Sequence, residues 1–412
     1  MMPKQTYDYI FLIEHEDRER ACVERICEKL EMNGKRCCVL SLEFHLYLLS
    51  NIQTECLVIP YGFEKYQWPI NYLFKMFPNV SFYSLNWEQL LTPINQEYKK
   101  PRDSFFKEEV IHIAWSEEFK TFLLESGVKE KNVFVTGNVH YELLAEECSN
   151  NHIIKKQLSN LFGIDGDRKW VFLPMNYAWA FISDSEIRGK IRKGYNSINA
   201  WIYKDYAKKC ILSFLNFLNN LSLKYDDHIF VVRPHPSISC EQYIQIAKKK
   251  NIKFNHNVFF SKDLTIREWI IASEIVGSSW SSSVWDAVNV GKKGFLYTPY
   301  KKPDWHNVWW EKYIVNFKDF ADVDFDLLKI ETTKETKLDE ESASLKIATV
   351  LLARNKKDFS TLNTNIDKFS IYDLFIFKLK VVRTYLRYIC MIYLRGTFIK
   401  NGLRRDFFKA KL

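Results

Sequence analysis

No internal repeat and no low-complexity tract occur in the 412 residues, which excludes a solenoid array and sets a disordered chain aside. The nine cysteines (22, 27, 37, 38, 56, 148, 210, 240 and 390) include no Cys-x-x-Cys pair, so no zinc site is expected. With no export signal read ahead of them, a reduced cytosolic protein with free thiols is the expectation. The basic C-terminal tail also lacks a spanning segment. Its longest charge-free stretch, between Arg387 and Arg395, is seven residues, against the ~20 that cross a bilayer. What is present is a folding chain, 47% hydrophobic and 16% aromatic, long enough for two α/β domains of about 150 to 200 residues each.

The stretch 229–299 organises the reading. It runs from an apolar strand, Ile229-Phe230-Val231-Val232, into Arg233-Pro234-His235-Pro236, then through helix and strand to Ile275-Val276-Gly277-Ser278-Ser279-Trp280-Ser281-Ser282-Ser283 and a helix from about Val284. A buried parallel strand that feeds a helix through a polar turn puts that turn at the carboxyl edge of a sheet, where open α/β folds bind ligands. The two prolines stiffen the turn around His235. Ser281 or Ser282 suits the N-cap of the next helix, whose free N–H groups and positive dipole end attract an anion such as phosphate. Taken singly, the first motif is also an ordinary rigid strand exit and the second an ordinary cap.

Together and in this order the motifs resemble the C-terminal half of GT-B glycosyltransferases, in particular the bacterial surface carbohydrate biosynthesis family. More distantly they are similar to capsule Kdo transferases and CDP-glycerol glycerophosphotransferases. The resemblance implies a GT-B fold, two Rossmann-like domains facing a cleft with a C-terminal helical tail. It also implies that Arg233, His235, Ser281, Ser282 and Ser283 hold the phosphate of a nucleotide donor and that Asp286 contacts ribose or base. Asp286 stands where the family more often has glutamate, and Lys293 where a proline often follows the glycine-lysine pair. A first loop of the donor domain, Met175-Asn176-Tyr177, follows the strand Trp170–Pro174, and the resemblance turns Asn176 toward the cleft.

The N-terminal half opens with a strand, Tyr7–Ile13, the acidic turn Glu14-His15-Glu16-Asp17-Arg18-Glu19, and a helix with Cys22, Val23, Ile26 and Leu30 at helical spacing up to Asn33-Gly34. Family members carry a glutamate at the end of the first strand and an Arg-Glu pair at the helix start, matched here by Glu14 and by Arg18-Glu19. An inverting transferase needs a carboxylate to take the proton of the acceptor hydroxyl. Glu14 is the first candidate, with Asp17 and Glu19 behind it, while the dipole alone also favours acidic residues in a first turn. Glu88, in the loop Asn86-Trp87-Glu88, is a further candidate for acceptor contact or else a solvated carboxylate. Thr136-Gly137-Asn138 matches the family's close of the first sheet, but Val139-His140-Tyr141-Glu142 replaces the Arg-Phe-Asp that follows there.

The expected domains are 1–150 for the acceptor, 168–330 for the nucleotide donor and 331–412 for C-terminal helices and tail, with the linker between about 148 and 168. Arg188 to Lys204, with Arg192, Lys193, Tyr195, Trp201 and Tyr203, reads as a flap over an anionic substrate or as the start of a solvated helix. From residue 371 onward ten basic residues face two acidic ones, eight of the chain's nine net positive charges. Interleaved with Phe375, Phe377, Tyr385, Tyr388, Ile392, Phe398 and Phe407, they suit the anionic inner face of a membrane, or packing on the first domain. No nucleic-acid fold accompanies them.

The expectation is a glycosyltransferase of surface polysaccharide, at the inner face of the cytoplasmic membrane, with a glycan or lipid-linked glycan as acceptor. The donor is a nucleotide sugar, first a CMP-linked acidic sugar such as Kdo or a sialic-acid-like sugar. No cofactor is expected, and metal independence is, because an imidazole and helix dipoles can stabilise the leaving phosphate. A paired Asp-x-Asp would argue otherwise, and the expectation of metal independence also rests on none being found. The other readings are a CDP-glycerol-type transferase, a nucleotide-sugar epimerase of the same fold, and a non-catalytic assembly protein.

Overall fold

The computed structural model describes residues 5–192, 195–329, 341–354 and 370–393. They build two Rossmann-like α/β units, each around a six-stranded sheet whose pairings are all parallel. The first unit comprises Met1–Glu142 with Asp339–Leu412, and the second Leu143–Leu338.

In the first unit β1 (Gln5–Ile13), β2 (Cys37–Ser41), β3 (Ile52–Ile59), β4 (Ser81–Ser84), β5 (Ile111–Ala114) and β6 (Val133–Val135) lie in the order β2-β1-β3-β4-β5-β6. Helices cover both faces of such a sheet, so central strands are apolar throughout rather than alternating. Tyr9 to Ile13 are accordingly all buried, each Ile or Leu contributing about 1.5–3 kcal/mol. The helix Glu16–Glu31 buries the Cys22, Val23, Ile26 and Leu30 face expected from spacing, and Gly34 just beyond its end takes φ 72°, left-handed backbone that glycine adopts without penalty.

Two later helices complete this unit. Ala343–Arg354 packs on Glu16–Glu31, with the Tyr9 hydroxyl donating to the Leu351 carbonyl at 3.2 Å. Glu142 receives the N–H and hydroxyl of Ser344 at 2.9 and 2.8 Å. The second is Ile371–Tyr393.

In the second unit β7 (Lys169–Pro174), β8 (His228–Arg233), β9 (Val258–Phe260), β10 (Ile275–Ser278), β11 (Lys293–Tyr297) and β12 (Val315–Phe317) lie in the order β12-β11-β10-β7-β8-β9. The stretch read as a linker contains a helix, Asn151–Phe162, whose Phe162 ring packs 5.3 Å from Trp269 in the helix Ile266–Ala272. Arg188 to Lys204 is largely helical, in Asp184–Arg192 and the long helix Ser197–Lys224, with the Lys204 ammonium 2.6 Å from Asp184; Lys193 lies outside the described residues. The stretch 331–341, charge-rich in sequence and expected to be a solvated loop, lies outside them up to residue 340, as does the tail beyond Tyr393.

Strand order reverses once in each sheet. The chain leaves β1 for β2 on one side and returns to β3 on the other; it leaves β7 for β8 and β9, then returns to β10. At such a switch point neighbouring crossovers go to opposite faces, which opens a crevice outside the carboxyl ends of the strands.

Candidate functional site

The second unit gathers the donor candidates at its switch point. Asn176 follows β7, Arg233 ends β8 with His235 just after it, and Ser278 ends β10, three adjacent strands whose carboxyl ends lie side by side. The Ser278 hydroxyl donates to the Pro174 carbonyl at 2.6 Å, and Tyr177 and Ser279 share a short hydrogen bond, so the two strands flanking the switch point are tied together. Gly277 makes room on the other side of β10, toward β11. A Cβ there would lie 2.1 Å from the Phe295 ring of β11.

His235 has a defined tautomer. Its Nδ1 receives the Ser237 backbone N–H at 3.2 Å, with the Ser237 hydroxyl 2.8 Å away. A backbone N–H can only donate, so Nδ1 presents its lone pair and the proton of the neutral ring sits on Nε2. Among the described residues that Nε2–H meets no acceptor. Burial, reinforced by the Lys262 ammonium, lowers the imidazole pKa to about 4, so near neutral pH the turn offers an uncharged donor.

The other candidates divide. Arg233 is spent locally: its guanidinium donates at 2.7 Å to each of the Asp263 and Leu264 carbonyls, clamping the loop in which Leu264 takes φ 60°. Ser282 occupies the N-cap position but its side chain makes no cap bond; instead Ser281 Oγ receives the Ser283 N–H at 3.4 Å. Ser281 is partly exposed, Ser282 exposed and Ser283 buried. Asp286 lies in the first turn of the seven-residue helix Ser283–Asn289, partly exposed. The Asn176 amide makes no side-chain hydrogen bond among the described residues.

Lys262 is the residue that sequence reading missed. It follows β9, which pairs with β8 through Val231↔Phe259 and Val232↔Phe260, and its ammonium donates to the Pro236 carbonyl at 2.6 Å. The histidine turn therefore carries a fixed cation from a neighbouring strand. Nothing local in the sequence signals this, because a lysine 27 positions after His235 reaches it only through that pairing.

At the first unit's switch point the chemistry is acidic. Glu14, partly buried after β1, receives the Tyr61 hydroxyl at 3.0 Å from the loop after β3, and His15 Nε2 lies 3.7 Å from its other oxygen. Burial and the Glu14 charge push the Tyr61 pKa upward, so the phenol stays a donor. Glu19 is fully buried and turned inward: it accepts the Glu14 backbone N–H at 2.8 Å and the Arg18 guanidinium at 3.1 Å. Burial nevertheless raises its pKa, with Arg18 opposing. Glu19 thus braces the strand-to-helix turn that holds Glu14, while Asp17 lies partly buried in the first helical turn.

Glu88 sits on a strained turn, with φ 73° two residues after Asn86 at φ 51°. Asn86 is strapped by the Ser84 hydroxyl at 2.7 Å and by its own amide donating to the Ile113 carbonyl at 3.1 Å. Glu88 pairs with Arg18 at 3.0 Å and with Lys99. Partial burial opposes its ionisation, but the Lys99 and Arg18 cations outweigh that and hold the carboxyl at about 2.

Asp-x-Asp pairs do occur, Asp165/Asp167 ahead of β7 and Asp322/Asp324/Asp326 around Val323, which accepts from Lys224 ahead of β8. Both lie toward the amino ends of the strands, away from the donor candidates. Among the described residues no group of three His, Cys, Asp or Glu side chains is placed to hold a metal ion.

The fold class is GT-B, by its pair of Rossmann-like domains, as the sequence resemblance implied. Solved structures similar to the chain include the wall teichoic acid polymerase TagF, 11% identical over 99% of this chain and 88% of that one, TM-score 0.44. A UDP-GlcNAc 2-epimerase of Methanocaldococcus jannaschii, in complex with UDP-GlcNAc and UDP, is 12% identical over 84% of this chain and 99% of that one, TM-score 0.49. A UDP-GlcNAc 2-epimerase from Neisseria meningitidis bound to UDP-GlcNAc is 16% identical over 71% and 82%, TM-score 0.42. No protein-family model matches the chain, and no curated protein sequence does.

Proposed function

We propose that the chain is a nucleotide-dependent transferase of surface glycan assembly, with the donor held by the second unit and the acceptor by the first. The observation that carries this reading is His235: a neutral imidazole whose Nε2–H meets no acceptor among the described residues, on a turn whose Pro236 carbonyl receives the Lys262 ammonium. A donor and a cation fixed at one switch point suit the phosphate of a nucleotide. Asn176 and Ser282 add polar side chains at the same edge, Ser281 adds a hydroxyl already bonded to Ser283, and Asp286 is the residue proposed for ribose or base.

In the proposed step the Glu14 carboxylate takes the proton of an acceptor hydroxyl, whose oxygen bonds to the sugar carbon as the bond from that carbon to the nucleotide phosphate breaks. The charge left on the phosphate is met by His235 Nε2–H and Lys262. The donor proposed first is a CMP-linked acidic sugar. A glycan acceptor, carried on lipid, and peripheral attachment of the C-terminal tail to the inner membrane surface belong to the same reading.

Calorimetric titration with CMP, CDP, UDP, GDP and ADP, with and without EDTA, tests it. A ligand that binds only the native state raises stability by ~2.7 kcal/mol at a hundredfold excess over its dissociation constant. Selective cytidine nucleotide binding is expected, unchanged by EDTA. Conversion of a nucleotide sugar without any acceptor would replace the transferase with an epimerase, and silence toward every nucleotide would end the reading.

A further inference from the structure

The helix Ile371–Tyr393 has two faces with opposite surroundings. On one, Phe377 is fully buried in the core cluster that contains Leu46, Leu49, Ile70 and Leu73, with its ring 5.9 Å from Trp68 and 5.5 Å from Tyr72. The Lys380 ammonium lies over the same two rings, 5.4 and 4.9 Å from their centroids. At the helix start Asp373 accepts the Ser370 N–H and hydroxyl at 3.0 and 2.8 Å and pairs with Lys75 at 3.1 Å. Those Ser370 bonds and the Lys75 charge hold its carboxyl at about 2. This face is anchored to the first unit.

The opposite face is apolar and uncovered. Tyr372, Phe375, Leu379, Val382 and Leu386 are 71, 58, 50, 53 and 55% exposed. Their spacing alternates three and four, so they form one stripe about 21 Å long. Ile371 and Tyr385 widen it. Exposed Lys378 and Arg383 border it on either side, and the helix's one acidic residue, Asp373, is on the anchored face.

Three occupants are conceivable, and charge selects among them. A bilayer interior is excluded, since no helix among the described residues is long and apolar enough to cross a membrane. A second copy could use the heptad spacing as a seam, but such seams are bordered by opposite charges, and two copies of this one would bring basic borders together. An anionic lipid surface satisfies both features: the stripe enters the headgroup boundary while the lysine and arginine stems run outward to the phosphates. Beyond the described residues the sequence keeps the same sign, with Arg395, Lys400, Arg404, Arg405, Lys409 and Lys411 against Asp406.

We propose that the outer face of this helix is an in-plane docking surface for an anionic bilayer. Because the inner face is fixed to the first unit, docking sets the orientation of that unit's sheet on the membrane. The inference names the attachment surface for the transferase reading and rests on that reading only for its purpose.

The test is co-sedimentation of the full-length chain with phosphatidylcholine vesicles, with and without phosphatidylglycerol. Two variants accompany it, F375S/L379S/L386S on the stripe and K378E/R383E at its borders, each checked for an unchanged thermal midpoint. Binding to anionic vesicles alone is expected, weakened about tenfold or more by either variant and by high salt. Equal binding to neutral vesicles, or unaltered binding by both variants, would overturn the proposal. So would a dimer in size-exclusion chromatography that the stripe variant turns to monomer while vesicles are ignored. Nucleotide titration of the same samples separates the two ideas: lost lipid binding with retained nucleotide binding removes the docking surface and leaves the transferase.

Discussion

The two switch points share a construction and differ in sign. Each is bridged by a tyrosine from one flanking strand's loop, Tyr61 to Glu14 in the first unit and Tyr177 to Ser279 in the second. In the first, carboxylates collect: Glu14 faces the edge, Glu19 braces it from below, and Glu88 is locked between Arg18 and Lys99. In the second, a neutral imidazole, an ammonium and hydroxyls collect, without a carboxylate on the histidine turn. The same backbone topology thus presents carboxylates at one edge and hydrogen-bond donors with a cation at the other. The topology fixes where chemistry sits, and side chains in the turns decide which chemistry it is.

Loss of the Glu14 carboxylate is the largest break in this contrast. Glu14→Gln keeps the shape and the Tyr61 hydrogen bond but cannot accept a proton, so transfer should fall about 10²–10⁴-fold while nucleotide affinity stays unchanged. Steady-state kinetics with calorimetry on one preparation reads both, and a fall in nucleotide affinity would place Glu14 with the donor instead. The mirror experiment is His235→Ala. Removing one charge-stabilising donor should cost about 10²–10³ in turnover and weaken the nucleotide as well, in a protein that stays folded at the assay temperature. Unchanged turnover would remove the donor-site assignment.

Gly277→Ala probes the scaffold beneath the second edge. The added Cβ meets the Phe295 ring, so a loss of about 1–3 kcal/mol in denaturant unfolding is expected, as for other overpacked cores. A neutral outcome would show that β10 and β11 can separate without disturbing the serine turn.

The smallest effect is in pH. His235 titrates at about 4 when folded and at about 6.5 when unfolded, so the unfolded chain binds more protons between those values. Its contribution is intact above ~6.5 and is lost as the pH falls toward 4. Glu88 is displaced in the same direction, about 2 folded against 4.5, but in a lower window, so its contribution is lost only as pH falls from 4.5 toward 2. At pH 5, then, the midpoint gap between wild type and His235→Asn should have narrowed relative to pH 7, and that for Glu88→Gln should be unchanged. A gap for His235→Asn that is constant over this range would mean that the ring is not buried in its neutral form.

Much of this was legible in the chain itself. Apolar runs without alternation, such as Tyr9 to Ile13 and Ile229 to Val232, can be stable only as strands covered on both faces. Each was followed by a polar turn and a helical period, so the parallel sheets and the carboxyl-edge position of Glu14, Asn176, His235 and Ser281 followed from local pattern. The sequence could not say which polar groups remain available. Arg233 stands in the motif beside His235, yet its guanidinium closes on the Asp263 and Leu264 carbonyls, and Glu19, next to Arg18, is buried under the turn. Lys262 reached the site from outside the motif.

Local sequence, then, determined the elements, because hydrophobic period and turn chemistry act over a few residues. Tertiary structure alone decided the partners of each polar side chain. Parallel pairing joins segments far apart in sequence, and burial obliges every polar group nearby to find the partner that this pairing supplies.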